Sequence, residues 1–121
     1  ENKMEQRFQI GDAVLTVSLP AELDHPNAEE ISQEIDQILQ GQYIRGIVFD
    51  FAQTTFMDSS GIGMIMGRYK ALGMRADSIR AIRVSSRIES ILKLSRKHKV
   101  MKICSRKDQE DGKGEDYGAD K

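Results

Sequence analysis

The sequence predicts a single α/β domain: a mixed sheet of four to five strands with amphipathic helices packed mainly on one face. Segments of alternating or β-branched apolar residues are interleaved with segments whose apolar residues recur at helical spacing. A length of 121 residues suits one modest core better than two. A hairpin opens the chain and strand-helix units follow it, so both antiparallel and parallel strand pairs are expected.

The first half of the chain is predicted to contain a hairpin, a helix and a buried strand. Two short alternating runs, RFQI and AVLTVSLP, flank Gly11 and Asp12, as in a hairpin at a sheet edge. The compact apolar run RGIVFDF predicts a central strand that is buried on both faces. Between them, helical spacing predicts an amphipathic helix that ends at Gly41 and buries Ile31, Ile35, Ile38 and Leu39.

In the second half, TTFMDSSGIGMIMGRYKALGM passes from a strand exit into a helix that is capped by Asp58 or Ser59 and ends near Gly73. SIRAIRVS predicts a strand, SSRIESILKLS a third helix, and KVMKI a last short strand. The inner face of the second helix is predicted to contain Ile62, Ile65, Met66 and Tyr69, and that of the third helix Ile88, Ile91 and Leu92.

The end of the chain is rich in acidic residues and glycine. From Ser105 to Lys121 it contains too little apolar surface to pack against a core. We therefore expect the folded domain to cover residues 1–104 and residues 105–121 to form a mobile polar tail.

Composition argues against several classes of protein. No apolar run approaches the roughly 18 residues of a membrane span. No basic and apolar leader opens the chain, so a cytoplasmic location is expected. Cys104 is the single cysteine and no paired histidines supply metal-ligand spacing, so neither an internal disulfide nor a metal is expected. The sequence also predicts no cofactor.

Charge is segregated along the chain. Residues 1–67 contain 11 acidic and 3 basic side chains, whereas residues 68–107 contain 2 acidic and 13 basic ones. Such a basic segment is compatible with a nucleic-acid patch, a docking face for an acidic partner, or a solvated helix surface. The solvated surface is the favoured interpretation. The segment contains only Tyr69 as an aromatic residue, so it lacks the stacking platforms of a nucleic-acid-binding module.

The stretch FMDSSGIGMIMGRYK, residues 56–70, carries the most chemical information. It places an acid and two hydroxyls at a strand-to-helix turn, followed by glycines. A phosphate on Ser59 would lie at a helix N-terminus, where free N–H groups and the helix dipole stabilise negative charge. Asp58 and Ser59 are also preferred capping residues, and a capping role is compatible with phosphorylation.

These residues resemble a known family. ELDH at residues 22–25, RGIVFDF at 45–51 and the unbroken FMDSSGIGMIMGRYK are similar to the STAS-domain anti-sigma factor antagonists, in particular the sporulation type of the sigma F system. The resemblance extends from about Val14 to Leu72. It implies a STAS-like domain and a partner-switching function in which the antagonist is not itself an enzyme.

The resemblance also implies the roles of individual residues. Ser59 would be phosphorylated by the anti-sigma factor, an ATP-using serine kinase. The unphosphorylated form would bind that kinase and release a sigma factor for transcription, and a metal-dependent serine phosphatase would restore it. The residues expected to contact the partner are Asp24, Asp58, Ser60, Gly61, Ile62, Gly63 and Arg68.

The sequence departs from the family pattern at several places. Ala21 stands where the family commonly has glycine before the ELD element. SSRIES and SRKHK replace the proline and the serine-glycine-leucine that the family usually has near its fourth strand and third helix. A closing apolar helix is not recognisable.

Other functions are less well supported by the sequence. A serine hydrolase would need glycine two residues before the nucleophile, where this chain has Met57. The glycines at 61, 63 and 67 match neither nucleotide-loop pattern. Met57, Met64, Met66 and Met74 are expected as core filler. The alternatives that stay open are a STAS scaffold in another partner-switching pathway, such as stress response, and a nucleic-acid-binding module.

Overall fold

The computed structural model describes residues 7–106. Its helices are α1 (His25–Gly41), α2 (Ser59–Ala71) and α3 (Ser86–Leu94), with a short 3-10 helix at His98–Val100. Its strands are β1 (Phe8–Gly11), β2 (Val14–Ser18), β3 (Glu22–Leu23), β4 (Gly46–Asp50), β5 (Phe56–Met57), β6 (Ile79–Val84) and β7 (Lys102–Ser105).

The main sheet has five strands in the order β1-β2-β4-β6-β7. The β1–β2 hairpin is antiparallel, and the other neighbouring strands are parallel. The predicted mixed sheet with an opening hairpin is therefore confirmed, and RGIVFDF supplies the central strand. β3 and β5 form a second, two-stranded parallel sheet that the sequence did not predict. Strands of two residues are too short to show a period.

One face of the main sheet is buried and the other is partly open. Two rows of register partners form the buried face: Leu15, Ile47 and Ile79, and Val17, Phe49 and Ala81. The next row on the opposite face runs from half-buried Thr16 and Val48 to exposed Arg80 and Lys102. This one-sided burial confirms that the helices pack mainly on one face.

The helices complete the core with apolar side chains at helical spacing. Ile31 and Ile35 of α1 and Ile88 and Leu92 of α3 are buried, as predicted. The other predicted members of these faces, Ile38, Leu39 and Ile91, are only partly buried. Each fully buried side chain of this size contributes about 1.5–3 kcal/mol. The helices thus close the core over the apolar face of the sheet.

The buried face of α2 is centred one residue earlier than predicted. Gly61, Met64 and Ile65 are buried, whereas Ile62 and Tyr69 are only partly buried. The shift follows from Gly61, which lets the first turn of the helix lie directly against β3 and β5. Met57 and Met64 are core residues as expected, but the prediction is wrong for Met74, which is 59% exposed in the turn after the helix.

The last strand starts and ends later than predicted. Within KVMKI, Val100 belongs to the 3-10 helix and β7 begins at Lys102. Ser105 is the last residue of β7 and pairs with Val84. The rest of the predicted tail, from residue 107 onward, lies outside the described residues. Among residues 7–106, no helix is both long enough and apolar enough to span a membrane.

Candidate functional site at two adjacent helix starts

The small sheet of β3 and β5 brings the first turns of α1 and α2 together. Its register pairs Glu22 with Phe56 and Leu23 with Met57. Each strand runs directly into the N-cap of a helix, Asp24 for α1 and Asp58 for α2. Two segments that are far apart in the sequence, ELDH and FMDSSG, therefore meet at one end of the molecule.

Both aspartates act as local caps. Oδ1 of Asp24 accepts a hydrogen bond from the Asn27 N–H at 3.2 Å, and Oδ1 of Asp58 accepts one from the Ser60 N–H at 2.8 Å. The Asp58 N–H donates to the Leu23 carbonyl at 3.4 Å, which ties one cap to the other strand. A cap of this kind contributes about 1 kcal/mol. Asp58, one of the two predicted candidates, is therefore the N-cap of α2.

Gly61 is required by close packing. A Cβ atom at this position would lie 2.8 Å from Cδ2 of Leu23 and 2.8 Å from Cγ of Met57. These distances are shorter than any ordinary contact between carbon atoms. Only glycine lets the start of α2 approach the two strands that carry the caps.

Ser59 and Ser60 have different environments although they are adjacent. Ser59 is the first residue of α2 and is exposed, and its hydroxyl has no hydrogen-bond partner within residues 7–106. Ser60 is half-buried, and its Oγ lies 3.4 Å from Nδ1 of His25. The two hydroxyls are therefore not equivalent for a reagent that approaches from solvent.

His25 was missed as a site residue in the sequence. Its Nε2 lies 3.6 Å from Oε1 of Glu29, one turn further along α1. The histidine in ELDH was the available signal, but its contact with Ser60 depends on the unpredicted pairing of β3 with β5. The order carboxylate, imidazole, hydroxyl is that of a catalytic triad. Here, however, the His25 and Glu29 side chains are 75% and 60% exposed, so water screens the interaction between their charges.

The remaining predicted partner residues are divided between surface and interior. Gly63 is exposed, and a Cβ at this position would meet nothing within 4 Å. Ile62 packs partly against the core. The Arg68 side chain is only 13% exposed, and its Nε lies 3.2 Å from Oδ1 of Asp36, so this ion pair connects α2 to α1.

A second polar cluster was not predicted. Asp50, at the end of β4, is 7% exposed and accepts hydrogen bonds from the Arg83 guanidinium and from the Ala52 N–H. The hydrogen bond to Asp50, and then the charge of Asp50, raise the pKa of Arg83. Arg106 donates to the carbonyls of Phe51 and Ala52 at 3.2 and 2.8 Å. These two arginines therefore bind the protein's own acceptors.

Comparison with known proteins identifies the family of this fold. The STAS domain model matches residues 6–109, which is most of the chain. The chain belongs to the STAS domain family. An anti-sigma F factor antagonist of Paenibacillus polymyxa is 33% identical over 90 residues, 74% of this chain and 77% of that protein.

Solved structures of STAS proteins agree with the fold. The anti-sigma factor antagonist SpoIIAA in its unphosphorylated form is 25% identical, with a TM-score of 0.70, over 87% of this chain and 96% of that one. The Bacillus cell fate determinant SpoIIAA in the phosphorylated form is 28% identical, with a TM-score of 0.62, over 86% and 96%. This STAS chain is thus similar to a protein whose structure has been solved in two states of phosphorylation.

Proposed function

We propose that this STAS domain is an anti-sigma factor antagonist whose binding is switched by phosphorylation of Ser59. The unphosphorylated form binds an anti-sigma factor that is also an ATP-using serine kinase, and the bound kinase releases its sigma factor for transcription. A metal-dependent serine phosphatase returns the phosphorylated form to the active state. The setting we propose for this exchange is the cytoplasm.

The observation that carries the proposal is the position of Ser59. Its hydroxyl is exposed at the first residue of α2 and has no partner within the described part of the chain. The Asp58 carboxylate already holds the Ser60 N–H, so the turn keeps its shape without help from Ser59. A similar protein, SpoIIAA, has been solved in both the unphosphorylated and the phosphorylated forms. This combination favours a modification site over a purely structural cap.

The proposed reaction is a phosphoryl transfer. Oγ of Ser59 forms a bond to the γ-phosphorus of ATP, and the bond from that phosphorus to the β–γ bridging oxygen breaks. The electron pair leaves with ADP, and the hydroxyl proton passes to a base of the kinase or to water. Such a transfer depends mainly on placing the attacking oxygen in line with the leaving oxygen. Because the Ser59 hydroxyl is exposed and has no partner within residues 7–106, the kinase is free to bring it into that line.

The partner surface is proposed to surround Ser59. Ser60 and the two caps, Asp24 and Asp58, lie at the same turn, and Gly63 is one helical turn further along an exposed face. Gly61, predicted from the sequence as a partner contact, is buried against β3 and β5, so it would support the surface by close packing instead of touching the partner. Ile62 and Arg68, which point partly or mostly inward, would support this surface by holding α2 in place.

Phosphorylation should weaken the complex without unfolding the domain. A phosphoserine adds about −1.5 to −2 charges next to Asp58, at a surface where the partner must approach closely. The start of α2 stabilises the same phosphate in the free domain through the positive end of the helix dipole. The N–H groups of Ser60 and Gly61 already donate to Asp58, so they do not have to be freed for the phosphate. Phosphorylation of Ser59 would therefore act as a gate: it would control whether the domain binds the anti-sigma factor, and not whether the domain folds.

The test combines modification with binding. The domain is incubated with the anti-sigma factor kinase and ATP, and the modified residue is identified by mass spectrometry. The unmodified and enzymatically phosphorylated proteins are then titrated against the anti-sigma factor by calorimetry. Equal affinity of the two forms would reject the gate, and phosphate on Ser60 alone would reject Ser59 as its position.

A further inference from the structure

The difference between the two hydroxyls at the start of α2 can be traced to one neighbour. Ser60 is held at two points: its N–H donates to Oδ1 of Asp58 at 2.8 Å, and its Oγ lies 3.4 Å from Nδ1 of His25. No such contact holds Ser59 within residues 7–106. Without His25, the two side chains would differ only in exposure.

His25 is placed for this contact by its own helix. It is the first residue of α1, directly after the Asp24 cap, and its Nε2 lies 3.6 Å from Oε1 of Glu29. A carboxylate beside Nε2 favours the tautomer that carries the proton there. With that tautomer Nδ1 is an acceptor, and the Ser60 hydroxyl, 3.4 Å away, can donate to it. The Ser60 oxygen is thereby directed toward the first turn of α1.

From this geometry we infer that His25 determines which of the two hydroxyls accepts phosphate, and that Ser60 is a second acceptor that His25 withholds. The inference rests on the proposed phosphorylation of Ser59. Phosphoryl transfer requires the attacking oxygen to be in line with the bond that breaks, so the direction of a hydroxyl matters as much as its reactivity. His25 fixes that direction for Ser60 and leaves Ser59 free.

The test uses the Ser59→Ala background, in which Ser60 is the acceptor that remains in the turn. Phosphate on Ser60 is followed by mass spectrometry, with the anti-sigma factor kinase and ATP. Adding His25→Ala should raise the rate about three- to tenfold, the factor that one ordinary hydrogen bond is worth. His25→Gln keeps a hydrogen-bonding group, so its rate of Ser60 phosphorylation should lie between the rates with His25 and with His25→Ala. His98→Ala removes the chain's other histidine, which lies outside this turn, and should have no effect.

Three results would overturn the inference. One is the same rate at Ser60 with and without His25. Another is no phosphate on Ser60 in either variant. The third is a rate that falls when His25 is removed, which would make His25 a base for Ser60. Thermal melts of every variant show whether the turn is still folded.

A second measurement separates this inference from the proposed function. Long-range proton–nitrogen NMR of the unmodified domain reports the imidazole nitrogens without any kinase. Ser60→Ala should move the Nδ1 resonance of His25, and Ser59→Ala should leave it in place; the opposite pattern overturns the inference. If the unmodified chain accepts phosphate on Ser59 but the His25 variants behave alike, the proposed function stands and the inference fails. If the unmodified chain accepts no phosphate, both fail.

Discussion

The guanidinium of Arg83 on β6 donates to both carboxylate oxygens of Asp50 on the neighbouring strand β4. Arg83 adopts a left-handed backbone conformation, with φ of 54°, at an irregularity in the pairing of β6 with β7. A residue with a Cβ atom pays about 1–2 kcal/mol for that conformation. The ion pair therefore offsets a strained backbone at the end of the central strands.

We expect Arg83→Ala to lower the free energy of unfolding by about 1–3 kcal/mol, because the buried Asp50 carboxylate loses both hydrogen bonds that it accepts from the guanidinium. Arg83→Gly loses the same ion pair but removes the strain, so it should be about 1 kcal/mol more stable than Arg83→Ala. Urea unfolding measures the free energy of unfolding of both variants. Arg80→Ala serves as the control, because Arg80 is exposed on the same strand. A glycine variant less stable than the alanine variant would contradict the role of strain.

The pH dependence of this pair follows from the raised pKa of Arg83. A raised pKa means that the stabilisation is complete below the ordinary value of the guanidinium and is lost only above it. The ordinary value is far above neutral pH. The difference in stability between the unmodified protein and Arg83→Ala should therefore be constant from about pH 6 to about pH 9, as measured by urea unfolding at each pH. A difference that shrinks toward pH 9 would contradict this.

Gly61 and Gly63 form a matched pair for testing the start of α2. Gly61→Ala should destabilise the domain by about 1–3 kcal/mol, because its Cβ would overlap Leu23 and Met57. Gly63→Ala enters open space within a helix and should stabilise the domain by about 0.5–1 kcal/mol. Thermal melts give both values. If Gly63→Ala is stable but binds the anti-sigma factor more weakly, the loss of affinity arises at the interface. Unchanged affinity would show that Gly63 does not contact the partner.

Ser59 variants test the proposed gate. Ser59→Ala should bind the anti-sigma factor constitutively and accept phosphate only slowly, at Ser60, whereas Ser59→Asp should bind poorly with little change in melting temperature. Ser60→Ala keeps the accepting hydroxyl and serves as the control. Because aspartate carries less charge than phosphate and has fewer acceptor oxygens, the enzymatically phosphorylated protein is titrated beside it. If Ser59→Asp loses affinity for the anti-sigma factor and also melts at a lower temperature, the lost affinity would be explained by unfolding instead of by a gate.

Association with the anti-sigma factor should slow as salt is added. The two paired segments that lead into the helix starts carry three acids, Asp24, Asp58 and exposed Glu22, so a complementary partner surface would carry positive charge. Screening acts over about 10 Å at 0.1 M salt. In stopped-flow experiments, Glu22→Gln should reduce the dependence of the rate on salt, and Arg80→Gln, on the open face of the sheet, should not. Association rates that do not change with ionic strength would show that charge does not steer the encounter.

Most of the fold could be predicted from segments in which apolar residues recur with a regular period. Short or irregular segments gave no such signal. The hairpin, the central strand around Phe49 and the three helices all have a visible period or a compact apolar run. β3 and β5 are two residues each, so nothing in their pattern indicated that Leu23 pairs with Met57. The register of α2 was misjudged because burial of Gly61 has no hydropathic signal.

The candidate site was predicted in part for the same reason. The DSSG turn and its cap follow from residue type, and the resemblance to antagonists added Asp24. The contact between His25 and Ser60 depends on the unpredicted strand pair. The left-handed backbone at Arg83 depends on the irregular register between β6 and β7, which an arginine side chain does not indicate.

The pairing of β3 with β5 also determines when the site forms during folding. The pairs across these strands, Glu22 with Phe56 and Leu23 with Met57, join residues 34 positions apart. Closing a loop of that length is slow relative to forming a helix, because chain entropy is lost before the contact stabilises it. We therefore expect the Ser59 turn to be completed after the helix α1 has formed. A growing or partly folded chain presents the DSSG sequence without its folded turn, so the proposed partner would meet the finished surface only on copies that have reached the native state.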